Sequence, residues 1–350
     1  MLEFLISFIL SAIFVYLIYK KNYGLDKTAD EKSHAMHTHK VSRLGGLGII
    51  ASITITSVFF SPLLTNILIA GTAIFTFGFL EDRFHLDLPY SKKIAFIFLS
   101  ALVLVYMTKE GVFNGGFIIL NKNNPFEAAI GYIIAIIGIV GFASAINFID
   151  GLNGYATGVI FITLSFFGYH FYITGMYEYL KVVLILNGAI LGFLIFNFPY
   201  GKIFLGDMGA HLIGFIVGFL SIAMTNHDPK LTVWYPLAAF TIPIINTLQK
   251  FPRRIKRKKL YGIPFSESDS EDLHYFMFKY IKQKYPNIKD NAIKNSIAAL
   301  YILIPHIILN IIVFYFRYNP FALISIFIIA SLIYLWIYNI LRKKYEKELN

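Results

Sequence analysis

Three polar side chains spaced three residues apart interrupt a long apolar run in the segment NFIDGLNGYATG, residues 147–158. Asn147, Asp150 and Asn153 approach one face if this backbone is helical, and the glycines between them let a ligand or a neighbouring backbone come close. A glycine-rich turn between two membrane spans would explain the glycines. It would not explain Asn147, which still lies inside the apolar run, where polar groups are costly and often functional.

Acidic residues stand at the ends of apolar runs in two further motifs. In GFLEDRFHLD, Glu81 and Asp82 taken alone are most simply a helix cap, with Arg83 reaching to the membrane surface. In FPYGKIFLGDMGAHLIGF, Asp207 suits two roles. It can cap the following helix, or it can hold a divalent cation beside a phosphate, because a helix N-terminus attracts anions.

Basic residues concentrate between residues 250 and 295, the longest polar stretch of the chain. Its run RRIKRKK, which contains Arg253 and Arg254, is most simply an anchor for anionic lipid. Phosphate recognition is the alternative, and it is favoured because the acidic residues that could bind a metal ion are expected on the same membrane face. His274 in this stretch is by default a surface histidine near the bilayer boundary.

The composition is that of a polytopic membrane protein. The 350 residues are 57% hydrophobic and 15% charged, with mean hydropathy +0.64, so apolar side chains exceed what a soluble core could bury. Cysteine is absent, which excludes disulfides, and the histidines at 34, 37 and 39 do not predict zinc, because such sites need about four ligands. The first apolar run is expected to be an anchor rather than a cleaved signal peptide.

Eleven apolar stretches come near the ~20-residue length of a membrane-spanning helix. They predict an all-α fold that forms a single membrane-embedded domain over residues 1–350, with 250–295 as a large basic loop within it. The predicted spans are residues 2–19, 44–63, 65–80, 94–108, 129–149, 155–174, 182–198, 208–225, 231–249, 296–316 and 320–341.

Charge predicts the orientation of these spans. Of the 31 lysines and arginines, 26 fall on one set of alternating loops, and because basic loops stay in the cytoplasm, the N-terminus is expected outside. This asymmetry and anionic lipid headgroups explain the net charge of +11, so no nucleic-acid partner is predicted. The acidic motifs and the basic loop then share the cytoplasmic face, which predicts one site there.

Carboxylates, a basic loop and a membrane-embedded location together indicate metal-assisted phosphoryl transfer to or from a lipid. A divalent ion would neutralise a diphosphate, a carboxylate would position or deprotonate the nucleophile, and basic side chains would bind the remaining oxygens. A secondary transporter is an alternative, but its ionisable groups would lie near the bilayer midplane, often in two repeated halves. A non-catalytic scaffold would not need the aspartates to converge.

Four motifs in this order, HTHKVSRLGGLGI, GFLEDR, NFIDGLNGYATG and FLGDMGAHLIGF, resemble those of the polyprenyl-phosphate N-acetylhexosamine-1-phosphate transferases. That family includes the WecA-type GlcNAc-1-phosphate transferases and the phospho-MurNAc-pentapeptide translocases, and the resemblance covers nearly the whole chain. It implies a fold of ten or eleven helices, Mg²⁺ or alternatively Mn²⁺, a UDP-N-acetylhexosamine donor and an undecaprenyl phosphate acceptor. The products would be a polyprenyl diphosphate sugar and UMP.

The resemblance assigns catalytic roles to three acidic residues. The adjacent acidic pair falls on Glu81 and Asp82, and because the family usually has two aspartates, Asp82 is the better candidate to engage the acceptor phosphate. Asp150 matches the first aspartate of the glycine-rich motif and is also assigned a catalytic role. The second aspartate of that motif is Asn153 here.

The resemblance also assigns a metal ligand and substrate-binding residues. Asp207 matches the aspartate that ligates Mg²⁺ in the family, and His274 matches the first residue of a His-x-His motif whose second histidine is absent here. The predicted substrate-binding residues are Lys40, Arg43, Asn147, Asn153, Arg253, Arg254 and His274.

The single histidine of that motif favours the WecA-type branch over the pentapeptide translocases, which carry a run of histidines. The expected role is the first membrane step of O-antigen, lipopolysaccharide or related surface glycan synthesis, with UDP-GlcNAc as donor. The pentapeptide translocase reaction is the alternative. The protein is expected in the plasma (inner) membrane, with its active site on the cytoplasmic face beside anionic lipids, and a homodimer is left open.

Overall fold

The computed structural model describes residues 1–21, 24, 41–84, 89–262 and 271–345. Within these ranges the chain is almost entirely helical, and strand pairing is limited to two isolated bridges, Ser42 with Ile203 and Asn114 with Ile119. The predicted all-α class is therefore confirmed. Lys40 and the histidines at 34, 37 and 39 lie outside the described residues, so the expectations about them stay predictions.

The described ranges contain fourteen helices: α1 (Leu2–Lys20), α2 (Gly45–Phe60), α3 (Pro62–Ala70), α4 (Thr72–Phe84), α5 (Tyr90–Thr108), α6 (Pro125–Ile149), α7 (Tyr155–Ile173), α8 (Tyr177–Asn197), α9 (Gly206–His227), α10 (Trp234–Ala239), α11 (Thr241–Tyr261), α12 (Leu273–Lys284), α13 (Asn291–Tyr315) and α14 (Pro320–Tyr345). In this part of the chain eight helices are long and apolar enough to cross a membrane, namely α1, α5 to α9, α13 and α14. The chain is a multi-pass membrane protein, and helix length alone does not establish the predicted eleven spans.

The second and third predicted spans meet at a capped helix start rather than in a loop. Ser61 is extended, and its side chain accepts a hydrogen bond from the Leu64 N–H (3.2 Å), so that Pro62 begins α3. Gly71 then separates α3 from α4, and the two helices form a broken pair bent by 59°. α2 has only 16 residues, because it ends before this cap.

The predicted span 231–249 is divided at Phe240 into α10 and α11. Pro243 lies in the first turn of α11, where the missing N–H is tolerated, whereas one continuous helix would need that N–H as a donor. α11 then continues to Tyr261, and α12 forms a further part of the predicted loop 250–295. The described parts of this segment are therefore largely helical, and its role as a loop within a single domain stays a prediction.

α9 is the central helix, and its apolar span is completely buried. It packs against α6, α4 and α2. Glycines allow the backbones to approach: a Cβ on Gly214 would lie 2.8 Å from the Ala143 Cα in α6, and one on Gly78 would lie 2.5 Å from the Met208 Cα. This close contact of α4 with α9 brings the acidic end of α4 to the N-terminus of α9.

Candidate active site

Two chain segments hold the N-termini of α2 and α9 side by side. The Phe204 N–H donates to the Ser42 carbonyl oxygen (2.8 Å), and the Gly46 N–H donates to the Leu205 carbonyl oxygen (2.8 Å). Arg43 lies between the two paired residues of the first segment. Its side chain is therefore positioned beside the first turn of α9.

Asp82 caps α9 from the end of α4. Its two carboxylate oxygens accept hydrogen bonds from the backbone N–H groups of Asp207 (3.1 Å) and Met208 (2.9 Å), and its side chain is fully buried. Gly206 begins α9 with φ +76°, and a Cβ there would collide with the Arg43 carbonyl oxygen. Asp82 therefore does cap a helix, but the capped helix is α9 rather than one next to it in sequence. Asp207 lies in the first turn of α9 and makes no capping hydrogen bond.

Two cations are each shared between two carboxylates. Lys93 Nζ lies 2.5 Å from Glu81 Oε1 and 2.7 Å from Asp207 Oδ2. Arg43 Nη2 lies 3.2 Å from Asp207 Oδ1, and Arg43 Nε lies 3.8 Å from Asp82 Oδ1. Lys93 had no predicted role, because in sequence it is one of many basic residues and only the packing of α5 brings it to these carboxylates.

Asn147 and Asp150 bring the glycine-rich motif to the same place. Asn147 Nδ2 donates to Asp207 Oδ1 (3.1 Å). The Asp150 carboxylate, just after the end of α6, has no hydrogen bond or ion pair among the described residues. The Asp150 pKa is raised to about 7, chiefly by burial; the charges of Asp207 and Asp82 also raise it, and Arg43 lowers it. Asp150 can therefore exchange a proton near neutral pH.

Asp272 organises the residues that α11 and α12 contribute. It accepts from Lys250 Nζ (2.6 Å) and from Arg253 Nη2 (2.6 Å), and it is buried. Burial by itself would raise the Asp272 pKa, but Lys250, His274 and Arg253 outweigh burial and lower the pKa. The predicted substrate-binding residue Arg253 donates hydrogen bonds to Asp272, to the Glu271 carbonyl oxygen and to the Tyr338 hydroxyl.

His274 and Arg254 lie next to the glycine-rich motif. The His274 ring is buried against Gly151, where a Cβ would collide with it, and its centroid lies 6.1 Å from that of the Tyr155 ring. The Arg254 guanidinium carbon lies 5.5 Å from the centroid of the Phe148 ring. Both residues are therefore neighbours of the motif, as a shared site requires.

Asn153 is placed differently from the rest of its motif. Its backbone N–H donates to Asn295 Oδ1 (2.6 Å), and its Nδ2 donates to the Pro199 carbonyl oxygen (3.2 Å) and to Ser296 Oγ (3.4 Å). The predicted common helical face is wrong for Asn153, because α6 ends at Ile149. Its hydrogen bonds join three chain segments, so the structure gives this residue a positional role.

The oxygen donors around Asp207 fit a hard divalent cation that is bound partly through its substrate. No group of three His, Asp or Glu side chains in the described ranges is arranged to hold a metal ion alone. Mg²⁺ is commonly held by one or two carboxylates, with water and substrate phosphates completing its shell. Asp207, the neighbouring Asn147 carboxamide and the partner-free Asp150 carboxylate meet this requirement.

Sequence comparison identifies a family whose matched region contains most of this site. The profile of glycosyl transferase family 4 matches residues 64–225, which include Asp82, Asn147, Asp150 and Asp207. A probable undecaprenyl-phosphate N-acetylglucosaminyl 1-phosphate transferase of Bacillus subtilis is 27% identical over 80% of this chain and 78% of that protein. Phospho-N-acetylmuramoyl-pentapeptide-transferases of Streptococcus pneumoniae and Staphylococcus saprophyticus are 30% and 26% identical, over 57% and 72% of this chain and 64% and 84% of their own lengths. The chain is therefore similar to glycosyl transferase family 4 over residues 64–225.

Proposed function

We propose that the protein transfers an N-acetylhexosamine 1-phosphate group from a UDP-sugar to undecaprenyl phosphate and releases UMP. The observation that carries this proposal is the meeting of Arg43, Asp82, Asn147 and Asp207, from four separate motifs, at the N-terminus of α9. A helix N-terminus flanked by two cations suits a diphosphate, and the carboxylates suit a divalent ion. The site thus combines the groups that phosphoryl transfer requires.

Arg43 and Lys93 bind the diphosphate oxygens of the donor in this proposal. Each is shared between two carboxylates in the structure, so both cations are held at the N-terminus of α9 before a substrate arrives. The negative oxygens of the diphosphate then compete with the carboxylates for these cations. Asp207 and Asn147 would hold Mg²⁺ or Mn²⁺, which when bound neutralises charge on the diphosphate.

Asp150 is the group proposed to face the acceptor phosphate. Asp82 was expected in this role, but both of its oxygens accept hydrogen bonds from α9, so Asp82 positions Asp207 instead. The Asp150 carboxylate is free of such bonds, and its pKa of about 7 lets it accept the last proton of a phosphate monoester. The acceptor oxygen attacks the donor phosphorus next to the sugar, and the bond from that phosphorus to the UMP oxygen breaks.

UDP-GlcNAc is the proposed donor, and initiation of O-antigen or another surface glycan is the proposed role. The similarity to the Bacillus subtilis protein supports this donor. So does the sequence after His274, where a tyrosine and a phenylalanine follow instead of further histidines. The two pentapeptide transferases support a MurNAc-pentapeptide donor as the second candidate.

The site is proposed to face the cytoplasm from the plasma (inner) membrane. The asymmetry of the basic residues supports this orientation. The end of α11 supports it too, since exposed Lys258 and Lys259 stand beside exposed Leu260 and Tyr261. A helix end that is both basic and apolar suits a surface of anionic lipid headgroups.

The proposal is tested with purified protein, Mg²⁺, UDP-GlcNAc and undecaprenyl phosphate. UMP and a lipid-linked sugar diphosphate should form in equal amounts, and only when the acceptor and a divalent cation are both present. Because one diphosphate bond replaces another, labelled UMP should exchange back into UDP-GlcNAc once the lipid product has formed. Release of UDP would contradict the reaction, whereas UMP release only with a MurNAc-pentapeptide donor would keep the reaction and change the substrate.

A further inference from the structure

The buried residue His211 lies one helical turn from Asp207, deeper in the bundle. It follows Asp207 by four residues on α9, and helical side chains lean toward the preceding turn, so the imidazole is directed at Asp207. His211 is 4% exposed and lines one small cavity with Glu81, Lys93 and Asp207. None of the family motifs gave His211 a role.

Polar atoms in this cavity lack partners. Both ring nitrogens of His211 and the Oε2 atom of Glu81 are buried without a hydrogen bond. Buried polar atoms are nearly always paired, because an unpaired one loses its hydration without compensation. Unpaired atoms beside a charged cluster therefore indicate that a partner becomes available in another state of the site.

The Lys93 side chain lies next to these unpaired atoms, in the same small cavity. Its Nζ bridges Glu81 Oε1 (2.5 Å) and Asp207 Oδ2 (2.7 Å), and the cavity has no space left for a water molecule. When Lys93 turns to the donor diphosphate, Asp207 Oδ2 loses this cation. Loss of this partner is costly for a partly buried carboxylate oxygen unless another donor replaces it.

We propose that His211 is a positioning residue that donates an imidazole N–H to Asp207 Oδ2 when Lys93 moves to the substrate. The inference rests on the proposed function, because it requires a diphosphate that attracts Lys93. The new hydrogen bond holds the Asp207 carboxylate in place while Oδ1 remains beside Asn147 and available to a divalent ion. Carboxylates that ligate metals are commonly held by such outer partners, and loss of the partner weakens metal binding about 10- to 100-fold.

The test compares His211→Leu with His211→Gln in the full-length protein. Leucine fills much of the volume but donates no hydrogen bond, whereas glutamine keeps an N–H donor. The Mg²⁺ concentration for half-maximal UMP release should rise about 10-fold in His211→Leu and less than about 3-fold in His211→Gln. His170→Leu is the control, since His170 is also fully buried without a ring hydrogen bond but its Nε2 lies 3.4 Å from Asp228 Oδ2, so its loss should leave the Mg²⁺ requirement unchanged.

A second readout does not depend on turnover. Mg²⁺ added with UDP-GlcNAc should raise the midpoint of thermal unfolding clearly in the wild type and in His211→Gln, and less in His211→Leu. If His211→Leu fails to fold, His211→Phe provides the same comparison, because it keeps a ring without a donor.

Two results would overturn the inference. One is an unchanged Mg²⁺ requirement in His211→Leu, and the other is an equal rise in the leucine and glutamine variants, which would mean that His211 only fills space. Failure of the proposed function is distinguishable, because it would appear as absent UMP release in the wild type. If the wild type releases UMP and the His211 variants have the same Mg²⁺ requirement, the proposed function is supported and only the role of His211 is contradicted.

Discussion

Asp82→Ala is expected to reduce the stability of the protein more than it alters the chemistry. The Asp82 carboxylate is fully buried and accepts two backbone N–H groups of α9, at 3.1 and 2.9 Å. A hydrogen bond to a charged group contributes about 1.5–3 kcal/mol, and loss of a helix cap typically costs about 1 kcal/mol. Because both bonds share one carboxylate, their contributions overlap, and we expect unfolding to become easier by about 2–4 kcal/mol.

Asp82→Asn separates the shape of this side chain from its charge. Asparagine keeps one oxygen that accepts from the Asp207 or Met208 N–H, but it presents an amide group to the other N–H. About half of the alanine effect, roughly 1–2 kcal/mol, is therefore expected. Glu178→Ala is a suitable control, because Glu178 is an exposed acid in the first turn of α8 and its loss should change stability by less than about 0.5 kcal/mol.

Thermal and denaturant unfolding of the purified variants would measure these differences. UMP release and donor binding would be measured at a temperature where all variants are folded. Both Asp82 variants should then retain donor binding and part of the turnover. An Asp82→Ala protein with wild-type stability and no turnover would refute the reasoning, because Asp82 would then act on the substrate itself.

Lys93→Met removes the cation shared between two carboxylates and should lower turnover about 100-fold or more, with partial recovery in Lys93→Arg; near-normal UMP release would contradict this. In the wild type, kcat/KM should rise with pH through an apparent pKa near 7, because Asp150 must be ionised, and additional Mg²⁺ should shift this rise to lower pH by offsetting a neighbouring negative charge. The same rise in Asp150→Asn would exclude Asp150 as its source. Asn153→Asp should lower stability by about 1–3 kcal/mol, because a carboxylate cannot donate to the backbone carbonyl oxygen 3.2 Å from Nδ2, and an unchanged melting midpoint would disagree. Reporter fusions should place Asn121 outside and Lys258 in the cytoplasm, and a common side for both would reject the proposed orientation.

The helical regions were largely predictable, whereas their ends and breaks were not. Apolar runs of spanning length are helical in lipid, so every predicted span coincides with a helix or a helix pair. Hydropathy does not predict the helix breaks at Ser61, Gly71 and Phe240. A cap, a kink and a proline near a helix start change the backbone without making the segment polar. Helix breaks are decided by local hydrogen bonds, which a hydropathy average does not contain.

The candidate site was predictable in its acidic residues but not in its cations. Asp82, Asp150 and Asp207 stand out because carboxylates at the ends of apolar runs are rare and costly. Lys93 and Lys250 do not, since basic residues are common near the cytoplasmic ends of spans, and only the packing of α5 and α11 shows which of them form ion pairs with carboxylates. Tertiary contacts, rather than residue type, distinguish a binding lysine from a membrane anchor.

Attack at the donor phosphorus next to the sugar is the central claim, and following each donor phosphate tests it most directly. UDP-GlcNAc would be labelled with radioactive phosphorus either next to the sugar or next to uridine, and incubated with the protein, Mg²⁺ and undecaprenyl phosphate. The label next to the sugar is expected to enter the lipid product, whereas the label next to uridine is expected to be released as UMP. Both labels remaining together in released UDP, with an unlabelled sugar lipid as the product, would contradict it.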